Sequence, residues 1–191
     1  ISVSPGSNLL FNNNELNIFK KLKKEFSVLL LQQEIPIDIN IELLKIANES
    51  GIKTIYDPGP PSKYENFDFL KFVDFLTPNK HEAEFILGKK IDGFELEAAK
   101  ELKKIGPNHV IITLGSRGLV YSGNFDQIFK PIKVNAIDPV GSGDCFNGAL
   151  ASMINKGEDI LNSINFAQKA AAFSTTKKGA SQSFPFLNEI K

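Results

Sequence analysis

Short unbroken apolar runs alternate along this chain with longer stretches in which apolar residues return every three or four positions. The runs "SVLLLQ" (27–32), "KTIYDP" (53–58), "VDFLTPN" (73–79) and "HVIITLG" (109–115) have strand length and predict short buried strands. Between them, "DINIELLKIANE" (38–49) sets Ile39, Leu43, Ile46 and Ala47 on one helical face, and Gly51 stops it. His81 to Leu87 predicts a short helix. "ELEAAKELKKIG" (95–106) predicts a longer one, with Leu96, Ala99 and Leu102 facing inward and Gly106 closing it. Further on, "LVYSG" (119–123) and "QIFKPIKV" (127–134) predict antiparallel strands at a sheet edge, and Asp144 to Asn155 and Ile160 to Thr175 predict helices. The opening "ISVSPGSN" reads as a strand running into a turn, as though the chain started partway through a sheet.

Strand alternating with helix predicts an α/β fold: a mostly parallel central sheet with helices on both faces, in one domain over residues 1–191. In such a sheet ligands sit beyond the carboxyl ends of the strands. The loops "QEIP", "YDPGP", "TPNKHE", "TLGSRG" and "DPVGSGD" follow strands or extended segments and are the places to look for chemistry.

Composition narrows the partners. With 22 basic against 22 acidic side chains in 191 residues, the chain lacks the basic excess of a nucleic-acid binder, and the lysines from Lys20 to Lys24 read as a solvated helix face. A single cysteine, Cys145, excludes an internal disulfide and suits a reducing compartment, and two histidines are too few for a Cys/His zinc set. The longest apolar run, "FSVLLL", is too short to span a bilayer, and nothing reads as a signal peptide. These features set the expectation of a cytoplasmic protein that acts on small molecules.

Two glycine loops carry the candidate chemistry. In "DPVGSGDCFNGAL" (138–150), Gly141 and Gly143 let backbone N–H groups turn toward one point at a helix start, a corner that attracts an anion. Asp144, inside that corner, either caps the helix or is there for its chemistry. A Walker loop is absent, and a dinucleotide fingerprint would need a third glycine where Phe146 stands. The second glycine loop runs from Gly115 to Gly118.

These residues resemble the ribokinase-like (PfkB) sugar kinases. "DPVGSGDCFNGAL" is similar to the family's D-T-x-G-A-G-D-x-F-x-G-A-L signature, "TPNKHEAEFILG" to its T-P-N-x-x-E-A loop and "TLGSRG" to its T-x-G-x-x-G turn, with "LLLQQEIP", "PGSN" and "KKGA" also in family order. Pro139 and Ser142 depart from the usual threonine and alanine. The family's early strand, sugar-binding Asp, Gly-Gly loop and most of its lid have no counterpart here, so the resemblance implies a chain truncated on its N-terminal side.

The resemblance implies transfer of the γ-phosphate of ATP to a primary hydroxyl of a small sugar, with D-ribose the best single choice. Another sugar or nucleoside kinase of the family, or a non-catalytic nucleotide-binding fragment, remains the alternative. Asp144 would be the general base and contact the sugar. The amides of Gly141, Ser142, Gly143 and Asp144 would form the anion hole. Asn79 and Glu82 would act near the phosphates and Mg²⁺ through water. Thr113, Gly115, Ser116, Arg117 and Gly118 would line the nucleotide, Gln168 would lie beside the adenine, and Glu34 would touch the sugar. Asp138, Val140, Ser174, Lys177, Gly179 and Ser183 match a monovalent-cation loop, for which K⁺ is the expected ion. His81 is expected to face solvent and Cys145 to be a packed small residue. Relatives often pair through the lid, which makes a homodimer an expectation as well.

Overall fold

The computed structural model describes residues 6–60 and 67–190. In chain order these form α1 (Asn13–Leu22), β1 (Val28–Gln32), α2 (Ile37–Glu49), β2 (Lys53–Asp57), β3 (Phe75–Leu76), α3 (Lys80–Leu87), α4 (Glu95–Ile105), β4 (His109–Thr113), β5 (Leu119–Ser122), β6 (Asp126–Phe129), α5 (Ser142–Asn155) and α6 (Ile160–Ser174), with short 3-10 turns between some of them. The six strands form one sheet in sequence order. β1 to β4 run parallel, with Leu31 opposite Tyr56 and Phe75 opposite His109, and β5 and β6 complete the sheet antiparallel.

Alternation along the strands feeds two cores, one on each face of the sheet. Leu31, Tyr56, Leu76, Val110, Ile112 and Val120 face α2, α3 and α4, whose Leu43, Leu44, Ala83, Ala99 and Leu102 are buried against them. Ile55, Phe75, Ile111, Leu119 and Tyr121 face the other way, onto Phe146 and Leu150 of α5 and Ile164 and Ala167 of α6. This is the α/β arrangement that the apolar runs predict, with helices on both sides of the sheet.

Several boundaries differ for local reasons. The helix predicted from Asp144 begins two residues earlier, at Ser142, because Gly141 takes the left-handed conformation (φ 77°) and turns the chain into it. β6 ends at Phe129 rather than continuing to Val134: Pro131 has no N–H for the ladder, and the carbonyl of Lys130 is taken by Gln168 of α6. β3 shrinks to two residues ahead of Pro78. α1 carries Lys20 and Lys21 on an exposed face and is opened by a capping box in which Asn12 accepts from Asn14 N at 3.0 Å and Glu15 from Asn12 N at 2.7 Å. Of the opening strand-and-turn, residues 1–5 lie outside the described residues, and Gly6–Leu10 form a 3-10 turn. The end of the proline-rich loop, residues 61–66, also lies outside them.

Candidate functional site

The parallel strands deliver their carboxyl ends to one edge of the sheet, and each ends on or near a polar residue: β1 on Gln32, β2 on Asp57, β4 on Thr113, and β3 shortly before Asn79. Thr77 N bonds Tyr56 O at 3.0 Å and Thr113 N bonds Pro78 O at 2.9 Å, so the loop after β3 continues the sheet between its neighbours.

The start of α5 stands over this edge. At Gly141 a Cβ would lie 3.1 Å from Ala180 Cα and 3.3 Å from the Phe184 ring, so both the positive φ and the close packing call for glycine. The first α5 bond runs from Cys145 N to Gly141 O at 2.9 Å, and Ser142 N turns back to Pro139 O at 3.2 Å. Among the described residues, the amides of Gly141, Gly143 and Asp144 meet no protein acceptor. No side chain caps the helix. Asp144, its third residue, is exposed, and its Oδ1 accepts a hydrogen bond from Gln32 Nε2 at the end of β1. The carboxylate is thus held from the sheet and does no capping.

α3 begins differently. Asn79 is its N-cap, with Oδ1 accepting from Glu82 N at 3.1 Å, while Glu82 accepts from Asn79 N at 2.7 Å and from Asn79 Nδ2 at 2.6 Å. Glu82 is only 8% exposed and faces the β2 loop, where a Cβ on Gly59 would collide with its Oε1. Asp57 joins this group. Its Oδ1 accepts from Gly59 N at 3.0 Å and its Oδ2 from Asn147 Nδ2 at 2.8 Å. Burial first, and then the neighbouring charges of Glu82 and Asp144, push the Asp57 carboxyl up to about 7. Burial also raises Glu82, against the opposing bonds from Asn79. Among the described residues no three His, Cys, Asp or Glu side chains converge closely enough to hold a metal ion directly. The hard oxygen donors of Glu82 and Asn79 fit a hydrated Mg²⁺ reached through its water shell.

Gln32, Asp57 and Asn147 are missed by the sequence reading. Their only signal is position: Gln32 ends one predicted strand, Asp57 is the next-to-last residue of another, and Asn147 lies three residues after Asp144.

The remaining candidates lie in varied settings. After β4, Leu114 N bonds Gly118 O at 2.9 Å around a tight turn holding Gly115 (φ 58°), Ser116 and Arg117. Arg117, exposed, pairs through Nη1 with Glu95 Oε1 of α4 at 2.5 Å, while Gln168 is buried and donates to Lys130 O at 3.0 Å. Glu34 is exposed in the turn after β1. His81 faces solvent, and Cys145 is buried, its thiol pushed up by that burial.

The predicted cation loop is closed by Asp138. Its Oδ1 accepts from Val140 N at 3.1 Å and its Oδ2 from Gly179 N at 3.0 Å, bonds that hold the carboxyl below its usual range. The amides of Ile137 and Asp138 meet Thr175 O at 2.7 and 3.0 Å. Lys177 N bonds Ser174 O at 3.3 Å, and Ser183 is buried with its hydroxyl on Ala180 O at 2.7 Å. These contacts bring the 138–140 and 174–183 segments side by side.

An open anion corner at a helix start, a carboxylate beside it and a cluster of acids across the strand ends are the parts of a phosphoryl-transfer site. The sequence matches the pfkB family carbohydrate kinases over residues 5–187, and the chain belongs to that family. Relatives include the ribokinase of Lactococcus lactis, 35% identical over 198 residues, and that of Staphylococcus aureus, 33% identical over 194 residues. All of this chain is covered in both, but only 61% and 64% of those relatives' own lengths. Among solved structures, ribokinase from Thermotoga maritima superimposes with a TM-score of 0.88 at 30% identity, covering 99% of this chain and 63% of that one. The Arabidopsis thaliana ribokinase complexed with ribose and ATP gives 0.84 at 26% identity, covering 99% and 62%.

Proposed function

We propose that this chain carries the phosphoryl-transfer site of an ATP-dependent carbohydrate kinase, with D-ribose giving ribose 5-phosphate as the favoured reaction. The single observation that carries the reading is at α5: free amides of Gly141, Gly143 and Asp144 beside a carboxylate that does not cap its own helix. In this reaction the Asp144 carboxylate takes the proton of the sugar hydroxyl as its oxygen bonds to the γ-phosphorus. The bond from that phosphorus to the bridging oxygen breaks and ADP leaves. The free amides meet the charge on the phosphoryl oxygens without reorganising. Gln32 keeps Asp144 oriented, and Asn79 and Glu82 would hold a hydrated Mg²⁺ through its water shell, which would neutralise the phosphates. The Thr113–Gly118 turn and Gln168 flank the nucleotide, and Glu34 reaches the sugar.

A K⁺ ion fits the 138–183 loops, where Asp138, Val140, Ser174, Lys177, Gly179 and Ser183 offer mostly carbonyl oxygen. A cytoplasmic location and a homodimer accompany the reading. Among the described residues no helix is long and apolar enough to cross a membrane.

The coverage of the relatives favours a second reading, in which this stretch binds nucleotide and contributes little turnover alone. ATP-dependent ADP release across a panel of pentoses, hexoses and nucleosides, together with calorimetric ATP titration with and without ribose, separates the two. Ribose-dependent turnover supports the kinase, ATP binding without turnover supports the second reading, and neither one overturns both.

A further inference from the structure

We infer that Asp57 and Asn147 form a buried polar latch that positions the first turn of α5, and with it Asp144 and the open amides, over the end of β2. The inference rests on the kinase reading for its meaning and on geometry for its substance. Asn147 lies one turn below Asp144 on the same helix and is 2% exposed. Its Nδ2 donates to Asp57 Oδ2 at 2.8 Å across 90 residues of sequence. The rest of the α5 face toward the sheet is apolar, from Phe146 and Leu150, and apolar contact is non-directional. A hydrogen bond between two short side chains fixes register where those contacts leave freedom to slide or roll. Asp57 is itself fixed, since its other oxygen takes Gly59 N at 3.0 Å. The Gln32 bond to Asp144 gives α5 a second tie to the neighbouring strand, so two adjacent strand ends hold one helix turn.

The latch has a built-in asymmetry. Asn147 Oδ1 is buried with no hydrogen-bond partner. When Asp57 is replaced by Asn, the Asn147 amide can rotate and present that oxygen to the new Nδ2, so the latch re-forms. When Asn147 is replaced by Asp, two carboxyls face each other, and once both are ionised neither has a donor and the latch breaks. Exchanging the two residues restores a donor opposite an acceptor, while Asn at 57 still accepts from Gly59 N through Oδ1. Asp57 and Asn147 are positioning residues in this scheme: they act through the helix that carries the base.

The test compares the intact protein with its Asn147→Asp, Asp57→Asn and doubly exchanged variants at pH 8.5, by ribose-dependent turnover and by amide hydrogen exchange over residues 142–147. Asn147→Asp is expected to lower kcat by about 30-fold or more while moving the KM for ATP by less than about 3-fold, the loss of one buried charge-assisted bond. Its α5 amides should exchange faster. Asp57→Asn should stay close to the parent in exchange, and the double exchange should recover at least about 10-fold of the lost kcat, as the restored bond requires. An Asn147→Asp protein with parental kcat and exchange, or a double variant no better than Asn147→Asp, overturns the latch. If the parent itself turns over no sugar, the kinase reading fails, and exchange alone decides the latch: no faster exchange in Asn147→Asp, or no recovery on swapping, refutes it.

Discussion

Gly59 lies so close to Glu82 that any side chain at 59 would meet the Glu82 carboxylate. A Cβ there would collide with Oε1, lie 3.1 Å from Cδ, and stand 3.2 Å from Asp57 Oδ1. Glu82 cannot simply swing away, because it is tied to Asn79 N and Nδ2. Gly59→Ala should therefore cost about 1–3 kcal/mol of stability, as overpacking and a disturbed capping box together suggest. Urea unfolding reads the cost, and a midpoint equal to the parent's would show that Glu82 has room the structure denies it.

Asp144→Asn keeps the size of the side chain and removes its basic charge. Turnover should fall about 10²- to 10⁴-fold while ATP affinity stays within a few-fold of the parent, the pattern of a lost general base. Steady-state kinetics and calorimetry with ATP measure the two parts. Near-normal turnover would remove Asp144 from the chemistry.

Asp57 makes the stability depend on pH in a direction opposite to most paired carboxylates. Its pKa stands near 7 in the folded chain against 3.8 for the ordinary group, chiefly through burial. Between those values the folded protein holds a proton that the unfolded chain has released, so this group's contribution to stability falls as pH rises from about 4 to about 7, then levels off. Asp57→Asn abolishes the effect. Relative to the parent, the variant should gain about 1–3 kcal/mol between pH 5 and pH 8, a figure discounted for partial exposure. Denaturant titrations at both pH values in metal-free buffer test it, and an unchanged difference would mean that Asp57 titrates normally.

Asp138 holds two backbone segments through Val140 N and Gly179 N. Asp138→Ala should loosen that pair of loops and lower the urea midpoint through the two lost bonds. If K⁺ binds there, the parent should turn over faster in K⁺ than in tetramethylammonium, and the variant should lose most of that preference. Equal rates in both salts for the parent would remove the cation from the scheme.

Much of the fold was legible because its determinants are local. A run such as "VIIT" can be buried on both faces only in a covered sheet, whereas "VLLL" in the edge strand β1 leaves Leu30 exposed, and Gly51 and Gly106 end their helices through backbone conformations that glycine adopts freely. Asn79, Glu82 and Asp144 were legible from motif spacing. Gln32, Asp57 and Asn147 were not, because what gives them meaning is distant: Gln32 meets Asp144 112 residues away, and Asp57 meets Asn147 across 90. A lone acid before Pro-Gly-Pro looks like any loop entry until the sheet brings α5 above it. The helix start at Ser142 was likewise hidden, since Gly143 is a poor helix former whose place in α5 follows from the turn at Gly141.

The missing cap on α5 has a thermodynamic side. With glycine as its N-cap the helix start forgoes only about a few tenths of a kcal/mol, and an anion settling on the three idle amides more than returns it, in the folded state alone. Inorganic phosphate or sulfate with no sugar present should thus raise the melting temperature in proportion to the logarithm of its concentration once the site fills, so that the empty protein is the softer of its two forms and occupancy itself stiffens the chemistry's foundation.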